Sequence, residues 1–348
     1  MRSMARCSIP GLLSVILTAP FLPGCGDDGG KGASIVVYTS VDDVFARPVA
    51  ERFAQETGID VRLVPDTEET KSTGLLNRLL AEKGRPVADV FWSGDPVRAA
   101  ILKQNGVSTP YRSPAAEGLP ASFCDRDGHW TGFSARARVI IYNRDLVPEA
   151  EAPRSVLDLL QPRFQDRVSI ANPLFGTTSM HAAALFAVLG EAKAKEFFEG
   201  FRRNGGVIVS SNGEVRRRVA QGEFDAGLTD TDDAAVALAE GKPIGVVFPD
   251  ADGVGTLIVP NCALLIAGAP HRRAGERFID YLLRPETEKA LAESPAAQIP
   301  LRPDVATPQG VARLEQLKAM PVDYDQLAPL LENLSRGYLK QWVEGQAR

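Results

Sequence analysis

Between residues 34 and 104, short β-branched runs alternate with helical periodicities. That alternation restricts the fold more than any other feature of the chain. Residues 34–38 (SIVVY) read as a buried strand. A helix follows through residues 49–54 (VAERFA), with Pro48 expected in its first turn because proline lacks the N–H that an interior turn needs. Gly58 ends it, and residues 59–64 (IDVRLV) alternate as a second strand. Leu75, Leu76, Leu79 and Leu80 recur at helical spacing. Residues 88–92 (ADVFW) give a third strand, and a helix runs from about Pro96 to Gln104. Strand–helix–strand–helix–strand at this spacing implies a parallel sheet with right-handed crossovers.

The middle of the chain repeats the theme. Residues 130–143 (WTGFSARARVIIYN) form a long arginine-bearing strand. Strands at 167–170, 207–209 and 226–228 alternate with helices at about 178–189, 191–204, 214–220 and after Asp232. Strands at 244–248 and 256–267 follow, and the last eighty or so residues are mainly helical. With 348 residues the chain exceeds what one hydrophobic core usually organises, so two α/β lobes with a cleft between them are expected.

The first residues are an address. Arg2 and Arg6 precede an apolar run that stops at Leu22-Pro23-Gly24-Cys25, and GDDGG follows. Residues 1–24 read as a secretory signal peptide, too short and too proline-broken to span a bilayer. Leu-x-Gly-Cys resembles the bacterial lipobox, which makes Cys25 the lipidation site and residues 25–33 a flexible tether. A plain cleaved signal with an incidental cysteine is the alternative. Cys124 and Cys262 remain, as a disulfide or as two buried thiols. The formal net charge is −5, and residues 1–24 carry two arginines and no acid. A net-acidic mature chain without a long basic cluster argues against nucleic acid as a partner.

The informative polar residues follow strands. The corners are Ser40 with Asp42 and Asp43, Ser93 with Asp95, Asn172 with Thr177, Thr178 and Ser179, Ser211 with Asn212, and Asp230 with Asp232 and Asp233. Such residues are preferred N-caps, and capping accounts for any one corner taken alone. Five on one chain exceed what caps explain. The Gly176-Thr177-Thr178-Ser179 corner combines hydroxyls with a helix N-terminus and reads as an anion site, with Asn172 and Arg136 as further donors. The aspartates read differently, because clustered carboxylates repel unless a cation, an amine or protons relieve them. Catalytic sets are weak. The three histidines show no metal or triad spacing, and HExxH, GxSxG and Walker motifs are absent.

The runs VVYTSVDDVFARPV, FAQETGIDV, ADVFWSGDP, WTGFSARARVIIYN, NPLFGTTS, GLTDTDDA and QIPLRP resemble the iron(III)-type solute-binding proteins of bacterial ABC transporters. That family includes ferric, thiamine, phosphonate and sugar-phosphate binders. The resemblance covers about residues 34–305. It implies the two-lobed type II periplasmic-binding-protein fold, with residues 34–135 and 246–300 in lobe 1, 136–245 in lobe 2, and 301–348 as C-terminal helices across both. It also implies a double-crossing hinge, an ABC permease as partner, a monomer, and a periplasmic or cell-surface location held by the lipid. No catalysis and no cofactor are implied, with a metal ion only as cargo. Ferric members typically carry adjacent tyrosines where this chain has Thr231 and Asp232. The expected ligand is therefore a phosphate- or phosphonate-bearing metabolite. The alternative is a metal held by aspartates with a synergistic anion, and an exported metal-dependent hydrolase is a more distant one. The ligand residues expected are Ser40, Asp42, Asp43, Ser93, Asp95, Arg136, Asn172, Thr177, Thr178, Ser179, Asn212, Asp230, Asp232 and Asp233.

Overall fold

The computed structural model describes residues 33–66 and 73–346, so the signal, Cys25 and most of the tether lie outside it. The first strands and helices are β1 (Ser34–Thr39), α1 (Asp43–Thr57), β2 (Asp60–Pro65), α2 (Thr73–Ala81), β3 (Val90–Ser93), α3 (Pro96–Gln104) and β4 (Ser108–Thr109). Parallel pairing joins β2, β1 and β3, as the alternation predicts. On β1, Ile35 and Val37 face α1 and pack with Phe45, Val49 and Phe53, while Tyr38 lies in the core on the opposite face. Two-residue periodicity on a sheet buried on both faces accounts for that division. Gly58 closes α1 in the left-handed region (φ 72°), its N–H bonded to the Ala54 carbonyl. α1 begins at Asp43, so Pro48 sits inside the helix rather than in its first turn. Its missing N–H leaves the carbonyl of Val44 without that helical donor, and Val44 is 67% exposed, so water can serve it.

One strand links the two halves of the molecule. β5 (Thr131–Asn143) is buried along all 13 residues. Residues 131–137 pair antiparallel with β10 (Ile258–Ile266), which joins β3 of the first lobe. Residues 138–143 pair instead with β8 (Ala226–Asp230) and β9 (Ile244–Val247) of the second lobe. The exchange of partners falls between Ala137 and Arg138. Near it, the register of β10 slips between Pro260 and Asn261, and Ser134 takes a positive φ of 38°. A proline in a central strand is tolerated at such a bulge.

The second lobe adds β6 (Val168–Ala171), α4 (Gly176–Leu189), α5 (Glu191–Arg203), β7 (Val207–Val209), α6 (Asn212–Ala220) and α7 (Thr231–Ala239). β6 pairs in parallel with β7 and β8. Helices α8 (Arg272–Leu282) and α9 (Pro285–Glu293) return to the first lobe, where Phe278 meets Phe53 edge-on at 5.0 Å. The chain ends in α10 (Tyr324–Arg336) and α11 (Tyr338–Gln346). α10 packs on both α3 and α4, and Trp342 of α11 donates to the Phe198 carbonyl at 3.0 Å. Cys124 and Cys262 are both free thiols. Among the described residues no helix is long and apolar enough to cross a membrane.

Candidate functional site

The ends of β1, β6, β7 and β8 meet an open cleft beside the crossing strand. Clefts at the carboxyl ends of parallel strands are where α/β folds place ligands. β5 supplies the chemistry at the centre. Arg136 and Arg138 are two residues apart and so share one face of the strand. Arg138 is fully buried. Its Nη1 donates to Asp230 Oδ1 at 2.7 Å, to Thr177 Oγ1 at 3.0 Å and to Asn212 Oδ1 at 3.1 Å. Arg136 spans the lobes. Its Nη2 donates to the Gly94 carbonyl at 2.5 Å, and its Nη1 lies 3.3 Å from Asp230 Oδ2 and 3.6 Å from Asp232 Oδ2. Gly94 permits this approach, since a Cβ there would come within 2.9 Å of Arg136 Nη2. The Gly94 N–H donates to Ser40 Oγ at 2.9 Å, which ties the β1 and β3 corners together.

Asp230 is the hub. Its Oδ2 also accepts from Thr177 Oγ1 at 2.7 Å and from Asn212 Nδ2 at 3.2 Å. Burial works against its charge, but Arg138 and Arg136 outweigh burial and hold its carboxyl below the ordinary range. Burial likewise opposes the charge of Arg136, and Asp232, Asp230, Asp42 and Asp233 override it. His181, buried on α4, is driven down to about 3 by burial and then by Arg138, so it is a neutral packing residue near neutral pH.

Hydrogen bonding separates the capping residues from those that serve the cleft. Asp95 accepts from the Val97 N–H at 2.8 Å, and Ser211 accepts from the Glu214 N–H at 3.2 Å; both are true N-caps. Asp42 and Asp230 occupy N-cap positions of α1 and α7 but make no side-chain cap bond. Both line the cleft, with Ser40, Arg136, Asn172, Thr177, Thr178, Asn212, Asp232 and Asp233. Thr229 Oγ1 donates to Asp233 at 2.9 Å. Carboxylate oxygens of Asp230, Asp232 and Asp233 come within 4.8 Å of one another, close enough to share a cation.

Four expected residues are placed elsewhere. Asp43 pairs with Arg47 on the surface of α1 at 2.6 Å. Ser93 and Asp95 are fully buried in the turn that starts α3, the Ser93 hydroxyl bonding to the Asp95 carbonyl at 2.8 Å. Ser179 turns away from the cleft, donating to the Gly176 carbonyl and accepting from Arg98. Of the donors at the start of α4, the Thr177 hydroxyl is given to Asp230, as is Arg138 behind it, which leaves the backbone N–H groups of the first turn. Arg138 itself was not among the expected residues, although its two-residue spacing from Arg136 is the signal that identifies it.

None of the six tyrosines reaches the cleft. Tyr38 bonds Glu82, Tyr111 bonds Asp280, Tyr281 bonds Glu56, Tyr338 bonds Glu199, and Tyr324 donates to the Ile258 carbonyl. Tyr142 lies over Gly245, where a Cβ would fall 2.1 Å from its ring.

A family model described as bacterial extracellular solute-binding protein matches residues 85–328. The chain belongs to that family. Its members bind and carry solutes for ABC importers outside the membrane and are not enzymes. Iron uptake protein A1 of Synechocystis is 28% identical over 344 residues, covering 93% of each chain. The major ferric iron-binding protein of Neisseria meningitidis is 26% identical over 300 residues, 83% of this chain and 87% of that one. Iron-bound HitA of Pseudomonas aeruginosa superposes with a TM-score of 0.79 at 21% identity, over 89% of this chain and 99% of that one. The type II periplasmic-binding-protein fold follows. The chain is an extracytoplasmic solute-binding protein of an ABC importer.

Proposed function

We propose that this solute-binding protein captures a hard cation, ferric iron first among them, and delivers it to an ABC permease. The observation that carries the reading is the charge of the cleft. Asp42, Asp230, Asp232 and Asp233 line it, against Arg136, with Arg138 behind. Four carboxylates and two guanidinium groups leave a net negative site, which repels a bare phosphate and is relieved by a cation. Hard cations take carboxylate oxygens as ligands. One relative named for iron uptake and another named for ferric iron binding support the same cargo. Asp42 on one lobe and Asp232 and Asp233 on the other would close on it, carboxylates taking the role that the tyrosines play in ferric relatives. The first-turn N–H groups of α4, which have no partners within the helix, would receive a counter-anion that travels with the metal.

The same proposal takes residues 34–135 and 246–300 as lobe 1, 136–245 as lobe 2 and 301–348 as the segment spanning both. Export by residues 1–24, anchoring through a lipid on Cys25 and a monomeric state complete it.

Thermal unfolding of the purified protein with ferric citrate, citrate alone, divalent metals, sugar phosphates and phosphonates tests the proposal. Ligand at about 100 times its Kd stabilises by ~2.7 kcal/mol. Ferric citrate is expected to raise Tm, with Asp232→Asn and Asp233→Asn abolishing the rise. The complex is expected to lack the visible iron–phenolate absorption. A rise with an organic phosphate and no metal would sink the cation reading.

A further inference from the structure

Arg98 lies on α3, in the first lobe, and is 3% exposed. Its Nη2 donates across the lobe boundary to Ser179 Oγ of α4 at 2.9 Å, and to Thr73 Oγ1 at the start of α2 at 3.2 Å. Its Nη1 is 3.4 Å from Asp95 Oδ2, one turn earlier on the same lobe. Asp95 is fully buried and fixed by capping α3, so the guanidinium is aimed before α4 arrives. Ser179 is also preset. Its hydroxyl donates to the Gly176 carbonyl at 2.7 Å, which presents an oxygen lone pair to Arg98. Thr177 and Thr178, on the same first turn of α4, line the cleft. A charged hydrogen bond between lobes therefore ends on the helix turn that faces cargo.

We propose that Arg98 is an interlobe pin that sets the resting angle of the hinge by drawing the N-terminal turn of α4 toward α3. When the lobes separate, Arg98 keeps its Asp95 counter-ion and loses only the bond to Ser179. The pin can therefore break and re-form without stranding a buried charge. α10 packs on both helices and forms the floor against which they move. Arg98 is thus a positioning residue that reaches the cargo site through α4. The inference rests on the two-lobed fold and not on the identity of the cargo.

The test needs no ligand. Spin labels at Val44→Cys on α1 and Leu238→Cys on α7, both exposed and on opposite lobes, in a Cys124→Ser background, report the interlobe distance by pulsed electron resonance. Ser179→Ala is expected to add a longer-distance component that the parent lacks. Arg98→Met combined with Asp95→Asn, which removes the buried charges together, is expected to do the same. Thr73→Val, which alters a bond within the first lobe, is expected to leave the distribution unchanged. Distributions identical in the parent, Ser179→Ala and the double variant would overturn the pin. So would an equal shift from Thr73→Val, which would mark a general loosening around Arg98. Failure of ferric citrate to bind would leave this measurement untouched.

Discussion

Replacing Arg138 by methionine tests the architecture of the cleft directly. Arg138 and Asp230 are 0% and 1% exposed at the side chain and 2.7 Å apart. Removing one partner of a buried ion pair typically costs ~3–5 kcal/mol, because the remaining charge stays in a medium that solvates it poorly. Here Arg136 stays at 3.3 Å, and Thr177 and Asn212 still donate to Asp230, so the lower end applies, ~3 kcal/mol. At about 1–2 °C per kcal/mol for a chain of 348 residues, Tm should fall by roughly 3–6 °C. Acid stability moves as well. Asp230 titrates below its ordinary value, so its contribution is present above the unfolded-state pKa of 3.8 and is lost as pH falls through the lower folded value. Without Arg138 the folded value rises toward 3.8 and that contribution shrinks. The assay is equilibrium urea unfolding followed by circular dichroism, on Arg138→Met, Asp230→Asn and the double variant. The single variants should each lose several kcal/mol, and the double variant should lose less than their sum by ~1–3 kcal/mol. A loss below ~1 kcal/mol in Arg138→Met, or strict additivity, would refute the account of Asp230 as an internally neutralised hub.

Two shorter predictions follow from neighbouring residues. His181 is neutral when folded, with its value lowered from 6.5 to about 3, so the unfolded chain takes up the proton first. Stability should therefore fall by ~2 kcal/mol from neutral pH to about pH 5, and His181→Gln should flatten that slope in pH-dependent urea unfolding; a parallel slope would contradict the assignment. Gly94→Ala should displace only the flexible end of Arg136, leaving stability within ~1 kcal/mol while weakening ferric citrate roughly tenfold in calorimetry, because the guanidinium is pushed against Asp230 and Asp232. An unchanged affinity would show that the position of Arg136 is immaterial to binding.

Much of the fold was legible because its signals are local. The β-branched runs at 34–38 and 88–92 and the leucine spacing at 75–80 each specify an element within a few residues. The parallel sheet follows from their alternation. The exchange of partners along β5 was not legible from spacing, since nothing in VIIYN says that its ladder belongs to β8 and β9 rather than to β10. Pro48 sits inside α1 because Asp42 and Asp43 begin the helix five residues before the start that the proline alone implies. Within the site, ten of the residues at strand-end corners line one cleft. The corners could not separate Asp42, which faces the cleft, from Asp95, which caps a helix, because both are aspartates preceding a helix. Only the direction of the side chain distinguishes them, and that depends on tertiary packing.

The same limit explains why the donor set, read alone, suggests an anion although the cargo proposed above is a cation. Thr177, Thr178, Asn212 and the two arginines form a set of donors, and read alone such a set calls for an anionic ligand. Folding supplies that anion from the chain itself. β8 ends at Asp230, and its pairing with β5 puts Asp230 opposite Arg138 in register. The arginines are thus largely satisfied before any cargo arrives, and Asp42, Asp232 and Asp233 line the opening around them. A donor set whose charge is met internally acts as a rigid wall. On the proposed reading, the preference of the site is then set by the carboxylates that the wall holds in place.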